Sequence, residues 1–167
     1  MSKFANSVSI GPEFFSKAKN DYADFCWALT REFMQNSIDC GSGRINVTVK
    51  TVDGTTHLTV ENDGNPMSRE TLVGKLLSLG SSGKGFNGTV GGFGKAKEVL
   101  YFCHREYTIE TGEFVVTGSG AGYDLQLGGN TRGTRSTIVL DKDRTESLIR
   151  NFKRFGRYAR WDGELRV

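Results

Sequence analysis

Three polar residues between positions 32 and 39 have the types and the spacing for acid–base or metal chemistry. Glu32 and Asn36 are four residues apart, so on a helix they share a face one turn apart, and Asp39 follows three residues later. A carboxylate placed in this way can act as a general base, and an amide oxygen can bind Mg²⁺. The alternative interpretation is a set of solvated side chains on the outer face of a helix.

A second group of polar residues follows a row of alternating apolar residues. The strand predicted from Thr56 to Asn62 has apolar residues on one face, and Asn62 ends that row. An inward-facing amide must find a hydrogen-bond partner. Either it caps the turn that follows, or it binds the edge of a purine whose ring packs on Met67. Asp63 takes this purine-binding role instead if the strand is kinked.

Glycine is concentrated in one segment of the chain. Seven of the 22 glycines lie between positions 80 and 94. Because ordering so much glycine costs entropy, such a segment is typical of a loop that moves or lets backbone approach a ligand. It ends in Gly91-Gly92-Phe93-Gly94-Lys95-Ala96 before a predicted helix, where backbone N–H groups would hold phosphate oxygens. An ordinary surface loop is the alternative, since the GxxxxGK[ST] motif is absent.

The apolar periodicity predicts the elements that must position these residues. A helix is predicted over 21–40, ending at Gly41, and a hairpin over 44–62 with its turn at Asp53-Gly54. Further helices are predicted over 68–79, 95–102 and 145–158, and strands over 107–111, 114–117, 123–127 and 136–140, with turns at Gly112-Glu113 and Gly128-Gly129-Asn130. This order predicts an α+β two-layer sandwich, a mostly antiparallel sheet with helices on one face.

Length and composition indicate a single domain over residues 1–167 with no membrane span. No apolar run, Val99 to Cys103 included, approaches the length that a spanning helix requires. Three cysteines without a CxxC pair, and an N-terminus without an apolar signal core, predict a cytoplasmic protein. Two histidines are too few for a histidine-rich metal site. The strand-like end at 163–167 is consistent with the N-terminal module of a longer protein.

The order of the motifs resembles the four nucleotide-binding boxes of the GHKL ATPase superfamily. This superfamily comprises the gyrase B subunit, the ninety-kilodalton heat-shock chaperones, sensor histidine kinases and the MutL mismatch-repair proteins. The matching segments are Glu32 to Asp39, Asn62 to Met67, Gly91 to Ala96 and Gly133-Thr134, within a match from 25 to 140. The resemblance implies a Bergerat fold that binds ATP and Mg²⁺ between helices and sheet, with residues 78–94 as a mobile lid.

The resemblance also implies a role for each matched residue. Glu32 corresponds to the base that activates water, and Asn36 to the asparagine that binds magnesium. Thr134 corresponds to a threonine that helps to bind adenine, and Asn62 stands at the position of the adenine-binding acid, with Asp63 as a second candidate. The other nucleotide-binding positions that it implies are Asp39, Cys40, Gly64, Met67, Gly92, Phe93, Gly94 and Lys95.

This chain departs from the family pattern at a few positions. The family has Asp-x-Gly-x-Gly where this chain has Asn62 and Pro66, and Ala96 replaces the last glycine of the phosphate-binding box. An amide can still accept a hydrogen bond from the adenine amino group, and it can also donate to the ring nitrogen. We therefore expect nucleotide binding with an altered strength or an altered base preference.

The pattern favours the hydrolase branch, similar to the chaperones and MutL, because the kinase branch lacks the glutamate found at Glu32. In those relatives ATP closes the lid and pairs the modules, and a cation from a following domain completes the γ-phosphate site. We expect binding of ATP and ADP, slow or no hydrolysis by this chain alone, a homodimer with ATP, and a protein client. The alternatives are a degenerate pocket in a protein- or nucleic-acid-binding module, and the detached catalytic domain of a histidine kinase.

A basic segment near the end of the chain is a separate feature. Between positions 147 and 160 there are five basic residues and no acidic one, although the net charge of the whole chain is only +3. One interpretation is an amphipathic helix that buries Ile149, Phe152 and Phe155 and leaves its basic face in solvent. The other is contact with nucleic acid through its phosphates.

Overall fold

The computed structural model describes residues 11, 13–78 and 98–167. Within them a five-stranded sheet has the order β3-β4-β2-β1-β5, and its neighbouring strands are antiparallel except for the parallel pair β1 and β5. The strands are β1 Arg44–Val52, β2 Thr55–Asn62, β3 Glu106–Ser119, β4 Gly122–Val139 and β5 Glu164–Arg166. The mostly antiparallel sheet with helices confirms the predicted α+β sandwich. Of the predicted lid over 78–94, all but Ser78 lies outside the described residues.

The helices begin and end close to the predicted positions, with two differences. They are α1 Glu13–Ser16, a 3₁₀ turn Ala18–Asp21, α2 Phe25–Asp39, α3 Arg69–Thr71 with a π-helical turn Leu72–Leu76, a π-helical segment Glu98–Phe102, and α4 Thr145–Tyr158. Helix α2 begins after Asp24, which caps the Trp27 N–H, and not at position 21. Ser68 caps α3 as predicted, but the helix continues as a π-helical turn. Within the described residues no helix has the length and apolar character to span a membrane.

The β1–β2 hairpin has the predicted turn. Asp53 and Gly54 have φ angles of 48° and 73°, the left-handed backbone of a two-residue turn between paired antiparallel strands. The register pairs Val52 with Thr55 at the turn and Ile45 with Asn62 at the far end. The turn therefore fixes the register that brings Asn62 to the end of β2 on the inner face.

The prediction of four short strands after position 106 is wrong. Two long strands, β3 and β4, form one hairpin, and the predicted turns at Gly112-Glu113 and Gly128-Gly129-Asn130 lie inside these strands. The pairing shifts register at Gly112, whose φ of 53° lets the backbone bulge without breaking the ladder. The chain turns instead at Gly120 and Ala121.

One hydrophobic core lies between the helices and the inner face of the sheet. Fully buried side chains come from every layer: Leu29 and Met34 on α2, Leu58 on β2, Ile138 on β4 and Phe152 on α4. The C-terminal residues cover the β1 edge of the sheet beside this core. The Trp161 Nε1–H donates to the Ser42 carbonyl at 3.0 Å, and the Glu164 N–H donates to the Gly43 carbonyl at 2.9 Å. These bonds attach β5 to the loop between α2 and β1.

Candidate functional site

A cavity of about 280 Å³ lies between the C-terminal half of α2 and the inner face of the sheet. Its apolar walls are Phe33, Val60, Met67, Leu76 and Tyr101. Its polar lining is Asn36, Ser37, Asp39, Cys40, Asn62, Asn65, Thr71, Thr134 and Ser136. A concave cavity that combines apolar walls with convergent polar groups is the usual form of a small-molecule site.

Three inward polar residues from neighbouring strands form one row beside this cavity. Asn62 pairs with Thr134, and Thr134 pairs with Thr111, in the register of the sheet. The Thr111 Oγ1 lies 3.0 Å from the Thr134 Oγ1 and accepts a hydrogen bond from the Met67 N–H at 2.8 Å. Thr111 therefore joins the row on the sheet to the segment that follows β2. The sequence analysis missed Thr111, although the alternation of Tyr107 and Ile109 before it gives the same signal that identified Asn62.

Asn62 is 9% exposed, and its side chain is held on the cavity side of β2. Its Oδ1 accepts a hydrogen bond from the Gly64 N–H at 3.2 Å. The Cys40 Sγ lies 3.4 Å from the same oxygen and shares its one hydrogen with the Ser37 carbonyl oxygen at 3.1 Å. Its Nδ2 donates to the Ser37 Oγ at 3.3 Å. These contacts hold the amide between the sheet and the end of α2.

Asp63 lies outside the cavity, in contrast to Asn62. Its carboxylate accepts hydrogen bonds from the Gly43 N–H at 2.9 Å and the Arg44 N–H at 2.8 Å. The bond from the Arg44 N–H is the main reason why the pKa of this carboxyl is lowered. Asp63 therefore caps the start of β1. Of the two candidates for a purine-binding residue, only Asn62 lines the cavity.

The segment after β2 packs closely against the end of α2. A Cβ at Gly64 would collide with the Cys40 Sγ and lie 2.8 Å from the Cys40 carbonyl oxygen. The same carbonyl accepts a hydrogen bond from the Asn65 N–H at 2.9 Å. Only glycine allows this approach at position 64. Burial raises the pKa of the Cys40 thiol, so the thiol stays protonated and acts as a donor.

The three polar residues of α2 have different surroundings. Asn36 is half-buried and lines the cavity, and within the described part of the chain its side-chain amide has no hydrogen-bond partner. Asp39 is exposed at the rim and accepts a hydrogen bond from the Gln35 Nε2 at 2.8 Å. Glu32 is half-buried and is not among the described residues that line the cavity. Its charge acts on Tyr22, whose pKa is raised by burial first and by Glu32 second.

An amide oxygen without a partner is a suitable ligand for Mg²⁺ when the nucleotide supplies the other oxygens. Among residues 11, 13–78 and 98–167 no group of three or more His, Cys, Asp and Glu side chains could hold a metal ion. The Asn36 amide oxygen on the cavity wall is of the type that can bind such an ion, and its metal-binding role stays a prediction. The predicted phosphate-binding residues Gly92, Phe93, Gly94 and Lys95 lie outside the described residues, so their role stays a prediction.

Another polar pair of the cavity was not foreseen from the sequence. The Tyr101 hydroxyl lies 2.8 Å from the Ser136 Oγ, and both residues line the cavity. Burial raises the pKa of Tyr101 to about 12, so its hydroxyl remains protonated at neutral pH. Tyr101 belongs to the apolar run from Val99 to Cys103, and nothing in that run indicates a polar partner.

Comparison with known proteins adds no family to this description. No protein-family model matches the chain, and no curated protein matches it. The functional interpretation therefore depends on the cavity, on the row of polar residues along the sheet and on the motif order.

Proposed function

We propose that this chain binds a purine nucleoside triphosphate with Mg²⁺ in the cavity beside α2, as the resemblance to the GHKL ATPases implies. One observation carries the proposal. Asn36, Asn62 and Thr134 belong to three separate boxes of the resemblance, far apart in the sequence, and all three line the same cavity. If the motif matches were coincidental, there would be no reason for the three residues to line one cavity.

The chemistry of the cavity suits the two ends of a nucleotide. Phe33, Val60 and Met67 provide apolar surface for a planar base, and Asn62 and Thr134 provide hydrogen-bonding groups for its edge. Asn36 would hold the magnesium ion through its amide oxygen. When bound, the ion neutralises the charge of the phosphates.

Hydrolysis requires a group that activates water. Glu32 lies on α2 one turn before Asn36, which suits a general base, but it is not among the described residues that line the cavity. We therefore expect slow hydrolysis by this chain alone. Lid closure, pairing of two copies and docking of a protein client under nucleotide control are the further consequences that the resemblance implies.

Calorimetric titration with ATP, ADP, GTP and ITP, each with Mg²⁺ or with EDTA, tests the binding. Asn36→Ala should weaken triphosphate binding in Mg²⁺ by about tenfold or more and have little effect in EDTA, because it removes the metal-binding amide. Asn46→Ala is the matched control, since Asn46 lies on β1 beside the inward-facing Ile45 and does not line the cavity. Failure of every purine triphosphate to bind would indicate a degenerate pocket.

Phosphate release separates hydrolysis from binding. Glu32→Gln should keep the affinity for nucleotide and abolish the release of phosphate from ATP. If the variant and the wild type release phosphate at the same rate, Glu32 is not the base. Transfer of phosphate to a histidine of a partner protein, with no release to water, would favour the histidine-kinase alternative.

A second candidate function is contact between α4 and a nucleic acid. Leu148 and Phe152 bury one face of α4 in the core, and the exposed face carries basic residues. These cations are Arg150, Lys153, Arg154, Arg157 and, just beyond the helix, Arg160, and in the described part of the chain none of them makes an ion pair. The Arg154 guanidinium lies over the Trp27 ring at 4.8 Å. Unpaired cations in a row suit a phosphate backbone.

Fluorescence anisotropy of a labelled single-stranded DNA at increasing salt tests this second function. The logarithm of the binding constant should fall linearly with the logarithm of the salt concentration. Reversing two charges, Lys153→Glu with Arg157→Glu, should weaken binding and reduce the slope. Lys142→Glu is the control, because Lys142 is an exposed cation outside α4. Equal losses in both variants would exclude α4 as the binding surface.

A further inference from the structure

The orientation of the Asn62 amide is fixed by its neighbours. The group 3.2 Å from one end of the amide is the Gly64 backbone N–H, which can only donate, so that end must be the carbonyl oxygen. The Cys40 Sγ lies 3.4 Å from the same oxygen and 3.1 Å from the Ser37 carbonyl oxygen, and its one hydrogen is shared between these two acceptors. Both groups of the protein next to Oδ1 are therefore ones that can donate to it.

The other end of the amide keeps a free donor. Nδ2 carries two hydrogens, and the structure gives it one acceptor, the Ser37 Oγ at 3.3 Å. Among the described residues the second N–H has no acceptor, and Asn62 is nearly buried where it lines the cavity. A ligand atom in the cavity can satisfy this donor, and it must be an acceptor.

We propose that the site prefers a 6-oxopurine nucleotide to an adenine nucleotide, with the Asn62 Nδ2–H donating to the oxygen at position 6. The inference rests on the proposed function, because it specifies the base of the nucleotide proposed for this cavity. A carboxylate at position 62 would offer acceptors and pair with an exocyclic amino group. In this orientation the Asn62 Nδ2–H would face the N–H of an adenine amino group, and neither group can accept a hydrogen bond.

The neighbouring strand supplies a matching group. Thr134 is the cross-strand partner of Asn62 and also lines the cavity. Its hydroxyl lies 3.0 Å from that of Thr111 and, like any hydroxyl, can both donate and accept. It can therefore accept from the N1–H that a 6-oxopurine carries and adenine lacks. Asn62 and Thr134 together present a donor and an acceptor side by side.

Competitive titration with ATP and ITP tests the inference, because their bases differ only by the amino or oxo group at position 6 and the N1 proton that accompanies it. In the wild type ITP should bind more tightly than ATP by about tenfold, the difference expected for one buried hydrogen bond gained or lost. Asn62→Asp should reverse the order, because its second oxygen accepts from the adenine amino group. Asn46→Asp is the matched control: it adds the same charge on β1, at a position that does not line the cavity, and should keep the wild-type ratio.

The outcomes separate this inference from the proposed function. If the wild type binds ATP as tightly as ITP, or more tightly, the base preference is overturned and nucleotide binding stands. If neither triphosphate binds, both are overturned. The wild-type ratio does not depend on whether a variant folds, and circular dichroism of the two aspartate variants shows whether their ratios can be compared with it.

Discussion

Two buried asparagines, Asn62 beside α2 and Asn151 on α4, have opposite surroundings. Asn62 has hydrogen-bond partners at both ends of its amide and lines a cavity. Asn151 is 5% exposed in the core-facing side of α4, and within the described chain its Nδ2 has no partner. An unsatisfied buried donor costs about 1–3 kcal/mol. Burial of a polar group therefore does not by itself identify a site; the cavity and the hydrogen-bond network around Asn62 do.

The apolar packing of α2 also differs from that of α4. Phe152 of α4 is completely buried, whereas Phe33 of α2 has one side on the cavity wall. Atoms that face a cavity lack neighbours on that side and contribute less dispersion energy. The packing of α4 is closed, and that of α2 leaves room for a ligand.

Truncating these two phenylalanines should give the largest effect and test the difference in packing. Phe152→Ala should lower the free energy of unfolding by about 3–5 kcal/mol, and Phe33→Ala by about 1 kcal/mol less, because the Phe33 ring already borders a cavity. Urea unfolding measures both. A larger loss for Phe33→Ala would mean that the α2 side is as tightly packed as the α4 side.

Replacing each asparagine by leucine should change the free energy of unfolding by an intermediate amount, with opposite signs at the two positions. Asn62→Leu should destabilise by about 2 kcal/mol, because it leaves the Gly64 N–H and the Ser37 hydroxyl without their partner. Asn151→Leu should leave stability unchanged or raise it by up to about 1 kcal/mol, because it removes an unsatisfied donor. Thermal and urea unfolding would contradict the comparison if Asn151→Leu were the more destabilising of the two.

His104 is a third buried polar side chain, and its contribution to stability should be the smallest of the three. This contribution should depend on pH, which adds a second test of the comparison. Burial lowers its pKa to about 4 from 6.5, and its Nε2 lies 2.6 Å from the Val99 carbonyl oxygen, to which the neutral ring donates. The unfolded chain takes up a proton between these values that the folded protein does not, so stability is complete above pH 6.5 and falls as pH drops towards 4.

Between pH 7 and 5.5 the wild type should lose about 1 kcal/mol from this group. His104→Gln should be less stable at pH 7 and lose less on acidification, so the difference between the two proteins narrows. Urea unfolding at both pH values measures it. A difference that stays constant with pH would show that burial does not lower the pKa of His104 in the folded protein.

Local signals predicted the elements that depend on one stretch of sequence. The Asp53-Gly54 turn, the end of α2 at Gly41 and the range of α4 are confirmed. The turns at Gly112 and Gly128 were wrong, because a glycine with positive φ fits a bulge inside a strand as well as a turn between strands. Only the pairing of β3 with β4 distinguishes these two outcomes.

The candidate site also contains features that the local sequence predicted and contacts that only the folded chain creates. Alternation along β2 predicted that Asn62 faces inward, and the structure agrees. The Tyr101–Ser136 hydrogen bond joins residues 35 positions apart and has no local signal. The orientation of the Asn62 amide depends on Gly64, Cys40 and Ser37 together, which only the folded structure brings into contact. The roles of Glu32 and of residues 92–95 stay predictions.

The attachment of β5 to Ser42 and Gly43 has a practical consequence for any shortened version of this protein. A truncation after Tyr158 would retain all of α4 but remove the Trp161 indole and the strand that hold this loop. Within this loop, Ser42 lies two residues after Cys40, which lines the cavity. Removing residues that do not line the cavity would thus loosen the loop beside it, and fragments for ligand screening should extend through Arg166.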